Sequence, residues 1–287
     1  MNPEKGPITR EAYAKINLTF EVLGKRQDGY HEIVSVMQAI SLCDILAFEP
    51  RDHIQLACDV PELVSPNNLV YKAARLMQEL AVGSRGVAIS LSKGIPLASG
   101  LGGGSSDAAV TLQVLNEMWD VNLPRERLTE VAAQVGSDVP FFIGGSRTAL
   151  ATSRGEKVKA LPCPAKTWLV LLRPPIEMAN KTREMYSRLD PSCFTKGQHA
   201  RRLATMIRGR ERVTDRQCYS VFDPLSLSLF PGMDHYRSQF KAAGAGEVHL
   251  AGAGPTLFTL VGDRVQGEEI FHRLKKQQLE VYLAVTI

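Results

Sequence analysis

The sequence lacks long apolar runs and any large excess of charge of one sign. No uninterrupted apolar run exceeds five residues, as in Trp168 to Leu172, whereas a membrane-spanning helix needs about 20. The segment from Met1 to Arg10 also lacks the apolar core of a secretory signal. The 34 basic and 30 acidic residues leave a net charge of only +4, too small to indicate nucleic acid binding. We therefore expect a soluble, cytoplasmic protein without a membrane or nucleic acid partner, and its oligomeric state stays open.

Paired cysteines are also missing. The five cysteines are scattered without a CxxC pair, at Cys43, Cys58, Cys163, Cys193 and Cys218. An odd number of unpaired positions in a chain of this length is typical of reduced thiols in a cytosolic protein. We expect neither a disulfide framework nor a protein-built metal site.

Several common catalytic motifs are absent as well. The chain contains no Gly-Lys-Ser or Gly-Lys-Thr, so it has no Walker-type phosphate loop, and no GxGxxG of dinucleotide-binding proteins or protein kinases. GxSxG and HExxH are also missing, which removes the simplest esterase and zinc-protease interpretations.

What is present is an ordinary globular composition, with 287 residues, 44% hydrophobic and 22% charged. Such a chain can bury one large core or two modest ones. Predicted strands and helices alternate without a regular βαβ rhythm, which favours an α+β fold. A charged, proline-bearing segment at 154–164 predicts a boundary near residue 160, with domains at 1–160 and 161–287.

The segment from Ala14 to Val22 alternates strictly between apolar and polar residues, which predicts a half-buried strand. Lys15 and Asn17 therefore lie on the same face. A solvated strand face would be a sufficient explanation for both side chains.

Four glycines fall within the five residues Gly100 to Gly104, followed by Ser105 and Ser106 and a predicted helix. Glycine lets backbone N–H groups converge on a ligand, and a helix N-terminus adds unpaired donors, so the segment predicts an anion site. The two serines are placed for a helix cap and could reach a phosphate-bound Mg²⁺. The alternative is a flexible turn with a serine cap.

This segment resembles the ATP loop of the GHMP small-molecule kinases, which include homoserine and mevalonate kinases. The resemblance makes the following residues candidates for binding ATP: Pro96, Leu97, Ala98, Ser99, Gly100, Leu101, Gly102, Gly103, Gly104, Ser105 and Ser106. Residues 14–18, 28–31 and 136–142 are similar to other segments of the family, and Gly252 to Thr256 resembles its third motif. The resemblance implies a two-domain GHMP kinase fold, an N-terminal ATP-binding domain, a C-terminal substrate-binding domain and an active site in the cleft between them.

The implied activity uses ATP and Mg²⁺ to phosphorylate the 2-hydroxyl of 4-diphosphocytidyl-2-C-methyl-D-erythritol, in the non-mevalonate isoprenoid pathway. By this resemblance, Asp138 accepts the hydroxyl proton, while Lys15 lies beside it, keeps it ionised and stabilises the transferring phosphoryl group. Judged by position alone, Asp138 fits an ordinary capping or turn residue better than a base.

The resemblance also implies the residues that recognise this cytidine diphosphate substrate. Asn17 positions it, Tyr30 and Tyr186 stack on the pyrimidine ring, and His31 contacts the base edge. Surface aromatic residues in a turn are the alternative for Tyr30 and His31. At the level of function, the alternatives are another GHMP kinase of the homoserine or mevalonate type, and a non-catalytic nucleotide-binding sensor.

Overall fold

The computed structural model describes residues 7–83 and 85–287. Within them the chain forms eleven strands, namely β1 (Ile8–Lys25), β2 (His31–Arg51), β3 (Gln55–Cys58), β4 (Gly86–Ser92), β5 (Thr148–Ser153), β6 (Lys157–Ala160), β7 (Trp168–Arg173), β8 (Tyr219–Ser220), β9 (His249–Leu250), β10 (Leu257–Val261) and β11 (Glu280–Val285). It also forms nine α-helices, namely α1 (Leu69–Leu80), α2 (Gly103–Met118), α3 (Arg125–Val135), α4 (Val139–Ile143), α5 (Lys181–Ser187), α6 (Gln198–Arg208), α7 (Phe222–Leu229), α8 (Met233–Ala242) and α9 (Arg264–Lys275). The α+β prediction is confirmed. None of the described helices is long and apolar enough to cross a membrane.

The chain divides into two compact units, each assembled from three segments. The first unit contains the described residues up to Ala14, Leu42–Ile95 and Gly102–Gly145, and the second contains Lys15–Ser41, Pro96–Leu101 and Ser146–Ile287. The long strands β1 and β2 each contribute residues to both units. These units therefore do not coincide with a single boundary near residue 160, and the functional division into 1–160 and 161–287 stays a prediction.

In the first unit, helices cover a small sheet. Strand β4 pairs in parallel with β3 and antiparallel with residues 45–51 of β2. Helix α1 is amphipathic, and its buried side chains Val70, Ala73 and Met77 recur at helical spacing. Helices α2, α3 and α4 pack on one another, and α1 packs on α2. This core supports the N-terminal turn of α2, where the second half of the glycine-rich segment begins.

The second unit contains a larger arrangement of strands. Residues 33–38 of β2 pair antiparallel with β5, β5 pairs with β6, and β1 pairs in parallel with β8. A separate antiparallel sheet has the strand order β11-β7-β10-β9. Its core is built by large apolar side chains, including Phe222, Phe230 and Phe240. Strand β7, which lies between β10 and β11, leads directly to the segment that carries α5.

The predicted strand is present as part of β1, but its polar face is buried as well. The prediction that this strand is half-buried is therefore wrong. Lys15, Asn17, Thr19 and Glu21 are all buried, because each finds polar partners from distant parts of the second unit. The Thr19 hydroxyl accepts from the backbone N–H of Val36 at 3.0 Å. The Glu21 carboxylate accepts from the N–H of Ala200, in the first turn of α6, at 2.7 Å and so satisfies one of the helix's unpaired donors.

A buried charged cluster in the first unit holds the segment that enters the glycine-rich loop. Oδ1 of Asp44 accepts from the backbone N–H groups of Gly94 and Ile95 at 2.7 and 2.8 Å. The Lys93 ammonium lies between two carboxyl groups, in contact with Asp44 and 2.9 Å from Oδ2 of Asp107, in the first turns of α2. One cation thus contacts two buried carboxyl groups. Burial, together with the neighbouring Asp44, raises the pKa of Asp107 to about 8, against the lowering effect of Lys93.

This raised pKa predicts a pH-dependent contribution to stability. The folded protein keeps a proton on Asp107 that the unfolded chain releases near pH 4, so stability should fall as pH rises between about 4 and 8. Asp107→Asn removes this titration. As pH rises from about 4 to 8, the free energy of unfolding of this variant should therefore increase relative to that of the wild type, by up to about 1.4 kcal/mol per pH unit.

Urea denaturation of both proteins between pH 5 and 8.5 measures this difference. Asp120→Asn is the matched control, since Asp120 is exposed and lies in the same unit. A difference between Asp107→Asn and wild type that stayed constant with pH would contradict a protonated Asp107.

Candidate active site

Lys15 lies against the glycine-rich segment rather than in solvent. Its Nζ donates to Oδ1 of Asn17 at 2.8 Å and to the carbonyl oxygen of Gly100 at 3.3 Å. Its backbone N–H donates to the carbonyl of Leu101 at 2.8 Å, and the amide of Asn17 donates to Oγ of Ser35 at 2.7 Å. The structure therefore brings Lys15, Asn17 and Gly100 together and excludes the solvated strand face.

The first half of the glycine-rich segment, Pro96–Leu101, packs backbone to backbone against the late glycine turn. A Cβ on Gly100, whose φ is +87°, would lie 2.0 Å from the carbonyl oxygen of Ala251, and one on Gly252 would lie 2.8 Å from that of Gly100. Such distances exclude any side chain, so this contact requires glycine on both segments. Nζ of Lys15 lies 3.4 Å from the Cβ position of Gly252, which places this cation beside both turns.

The second half of the segment forms the start of α2 in the first unit. Gly102 is the N-cap residue, with φ of +75°, and its carbonyl accepts from the N–H of Ser106 at 2.9 Å. The expectation that Ser105 and Ser106 occupy the cap position is wrong. The helix begins earlier, at Gly103, because glycine tolerates the left-handed conformation at the cap. The N–H groups of residues 102–105 come before that of Ser106, the first donor of an intrahelical hydrogen bond, and so can donate to an anion.

Asp138, also in the first unit, immediately precedes α4. Its backbone is helical, with φ of −85°. Among the residues that the structure describes, its side chain makes no capping hydrogen bond to α4. The carboxylate is partly exposed, and α4 is fixed by packing against α2. A simple capping role therefore does not account for this residue, while its predicted role as a base stays a prediction.

The predicted base-recognition residues lie in the second unit. Tyr30 is 54% exposed, and the Arg154 guanidinium lies 4.8 Å from its ring centre. The rings of His31 and Tyr186 are stacked, with centres 4.9 Å apart and planes at 26°. The structure thus brings His31 and Tyr186 into contact and places the Arg154 guanidinium over the ring of Tyr30.

The surroundings of His31 favour the neutral form of its ring. Burial, and secondarily the positive charge of Lys25, lowers the pKa of this histidine. The ring of Phe194 packs edge-on against it, with centres 6.2 Å apart. A neutral imidazole carries one donor and one acceptor, which suits recognition of a polar base edge.

Sequence reasoning missed two cations at the glycine turns, Lys181 and Arg173. The ammonium of Lys181 donates to the carbonyl oxygens of Ala98 and Gly254. Nη2 of Arg173 donates to the carbonyl of Leu97 at 3.4 Å, and its Nη1 pairs with Glu280 at 2.8 Å. A lysine in the first turn of a short helix is too common to attract notice, so no local pattern indicated this contact.

The described residues contain no group of three or more His, Cys, Asp or Glu side chains arranged to hold a metal ion.

Models of one protein family match two parts of the chain. The family model described as "GHMP kinases N terminal domain" matches residues 68–146, and "GHMP kinases C terminal" matches residues 206–280. Together these matches include α2 with its glycine-rich N-terminus, Asp138, and the late glycine turn.

Relatives match over nearly the full length. Proteins named 4-diphosphocytidyl-2-C-methyl-D-erythritol kinase from Dehalococcoides mccartyi and Pelotomaculum thermopropionicum are 44% and 39% identical. The matches cover 98% and 97% of this chain and 98% of each relative.

Solved structures agree in fold. The crystal structure of a 4-(cytidine 5′-diphospho)-2C-methyl-D-erythritol kinase superposes with a TM-score of 0.81 at 29% identity, covering 97% of this chain and 99% of that one. Homoserine kinase from Cytophaga hutchinsonii, at 18% identity and a TM-score of 0.73 over 100% of this chain and 96% of that one, shares the fold. The chain belongs to the GHMP kinase family.

Proposed function

We propose that this protein transfers the γ-phosphoryl group of ATP to the 2-hydroxyl of 4-diphosphocytidyl-2-C-methyl-D-erythritol, in the non-mevalonate isoprenoid pathway. The observation that carries this proposal is 44% identity, over 98% of both chains, to a relative named for this substrate. The arrangement of Lys15 and Asn17 beside the glycine turns supports it. The five free cysteines are compatible with a cytoplasmic location.

The glycine-rich segment supplies the binding site for the triphosphate in this proposal. Backbone N–H groups at the N-terminus of α2 point along the helix axis, and the helix dipole adds partial positive charge. Gly104 is exposed, and a Cβ there would meet only Leu69, at 3.7 Å. The backbone can therefore approach a phosphate closely at this position.

Lys15 and Asp138 carry the chemistry. The ammonium of Lys15, fixed by Asn17 and the carbonyl of Gly100, offers positive charge where a phosphoryl group transfers. Asp138 orients the acceptor hydroxyl and accepts its proton. Neither role needs a covalent intermediate, since phosphoryl transfer depends on positioning and charge stabilisation.

Mg²⁺ is the cation that we propose enters with ATP. It would neutralise charge on the phosphate oxygens, and it prefers oxygen ligands, several of them water or phosphate. The hydroxyls of Ser105 and Ser106, in the first turns of α2, are the side chains of this segment with suitable chemistry. The small number of protein oxygens fits a metal that is held mainly by its nucleotide.

The cytidine group is recognised by the aromatic residues of the second unit. Tyr30 presents an exposed ring, and Tyr186 and His31 form a stacked pair. Stacking on an aromatic side chain contributes about 1–3 kcal/mol per base in single-stranded nucleic acid complexes. The polar edge of the base would form hydrogen bonds with the imidazole of His31, for which the neutral form is favoured.

A substrate panel tests the activity. Purified protein with MgATP is offered 4-diphosphocytidyl-2-C-methyl-D-erythritol, homoserine and mevalonate, and ADP release and the phosphorylated product are followed. We expect turnover with the cytidylyl substrate alone. Turnover with homoserine or mevalonate instead would assign another GHMP kinase activity, and ATP binding without turnover of any alcohol would indicate a nucleotide sensor.

Asp138→Asn tests the proposed base. The amide keeps the size of the carboxylate but cannot accept the proton, so kcat should fall by about 10² or more while both substrates still bind. Steady-state kinetics and calorimetry measure the two quantities. Asp120→Asn, exposed and in the same unit, is the matched control and should retain full activity. Wild-type kcat in Asp138→Asn would remove this residue as the base.

Tyr30→Ala tests recognition of the cytidine group. Loss of one stacking ring should raise KM for the cytidylyl substrate by about 5- to 100-fold, with KM for ATP nearly unchanged. Tyr30→Phe keeps the ring and should retain most of the affinity. Equal increases in both KM values would mean that Tyr30 has a structural role instead.

A further inference from the structure

Lys181 connects two glycine-containing turns that are far apart in sequence. It is the first residue of α5, and its ammonium donates to the carbonyl oxygens of Ala98, in the glycine-rich segment, and Gly254, in the late turn. Hydrogen bonds from an ionised donor are stronger than neutral ones. A single side chain therefore ties both turns through their backbone.

The segment that Lys181 holds is conformationally strained. Ala98 has φ of +50°, in the left-handed region that is sterically unfavourable for a residue with a Cβ. The bonds to the residues on either side of Ala98 are long: the Thr256 N–H donates to the Ser99 carbonyl at 3.4 Å, and Nη2 of Arg173 donates to the Leu97 carbonyl at 3.4 Å. The shorter bond from the Lys15 N–H to the Leu101 carbonyl, at 2.8 Å, lies three residues further along. Among the contacts of the described residues around Ala98, the lysine bond is the one best suited to maintain this conformation.

The surroundings of Lys181 also favour an anion. Burial, followed by the positive charges of Lys15 and Arg173, lowers the pKa of Lys181 to about 8. Holding a partly buried ammonium near two other cations costs free energy. Negative charge bound beside these turns would offset part of that cost, which is the situation that a polyphosphate creates.

We propose that Lys181 is a positioning residue for the nucleotide, which holds Pro96–Leu101 in its triphosphate-binding shape through the carbonyls of Ala98 and Gly254. This inference rests on the proposed function, since it takes ATP as the ligand of the glycine-rich segment. It assigns Lys181 no contact with the reacting atoms. Its effect reaches the nucleotide through the backbone of residues 96–101.

The test compares affinities for the two ligands in separate titrations. Lys181→Met removes the donors, Lys181→Arg keeps a cation able to donate to two carbonyls, and Lys241→Met is the matched control on the exposed side of α8. Each protein is titrated by calorimetry with a non-hydrolysable ATP analogue and, separately, with cytidine 5′-diphosphate. Circular dichroism and thermal melting verify folding, and Lys181→Gln replaces the methionine variant if that one does not fold.

We expect Lys181→Met to raise the Kd for the ATP analogue by about tenfold or more. The Kd for cytidine 5′-diphosphate should stay within about twofold of the wild-type value. Lys181→Arg should recover a measurable part of the loss, and Lys241→Met should match wild type. In turnover, KM for ATP should rise without a matching rise in KM for the cytidylyl substrate.

Two results would overturn the inference. Wild-type affinity for the ATP analogue in a folded Lys181→Met or Lys181→Gln protein would show that the segment keeps its shape without the lysine. A selective loss of cytidine 5′-diphosphate binding would make Lys181 a ligand of the other substrate. Failure of the proposed function would be seen separately, as a wild-type protein that does not bind the ATP analogue or turn over the cytidylyl substrate.

Discussion

The second unit depends on one close contact, in which the backbone of Gly100 meets that of Ala251 and Gly252. Any Cβ at Gly100 would come within 2.0 Å of the Ala251 carbonyl, so the two turns can approach only because side chains are absent. This approach also places the carbonyl of Gly100 within reach of Lys15. Glycine therefore has two functions here: it exposes N–H groups to a ligand, and it allows two distant segments to form one surface beside a lysine.

A buried polar strand face makes that surface rigid. The side chains of Lys15, Asn17, Thr19 and Glu21 would destabilise the fold if they were buried without partners. Each has a partner instead, from Gly100 at one end of the row to the N-terminus of α6 at the other. Because the network is satisfied along its length, Lys15 has little freedom to leave its position. A mobile surface lysine would lose that preorganisation, which electrostatic stabilisation of a transferring group requires.

Local patterns predicted much of the fold, and contacts between distant segments account for most of what they missed. Strict alternation located the strand that becomes β1, and the glycine-rich segment located α2, because each signal lies within one short window. Helix α4, Val139–Ile143, has apolar residues on every side and offers no periodicity. Burial of Glu21 depends on Ala200, and the role of Lys181 depends on Ala98 and Gly254. No window of sequence contains both partners. Local patterns therefore predicted an anion site at the glycine-rich segment, and only the family resemblance added Lys15, Asn17 and Asp138 to it.

The glycine-rich segment is divided between the two units at Leu101 and Gly102, and a lysine of the same unit supports each half. Lys93 acts through Asp44, whose carboxylate binds the backbone at Gly94 and Ile95, and through Asp107 of α2. Lys181 acts directly on the carbonyl of Ala98. A segment rich in glycine loses more conformational entropy on ordering than any other, so it needs strong external contacts to keep one shape. Charge-assisted bonds to backbone groups meet this need without placing side chains where a phosphate must approach.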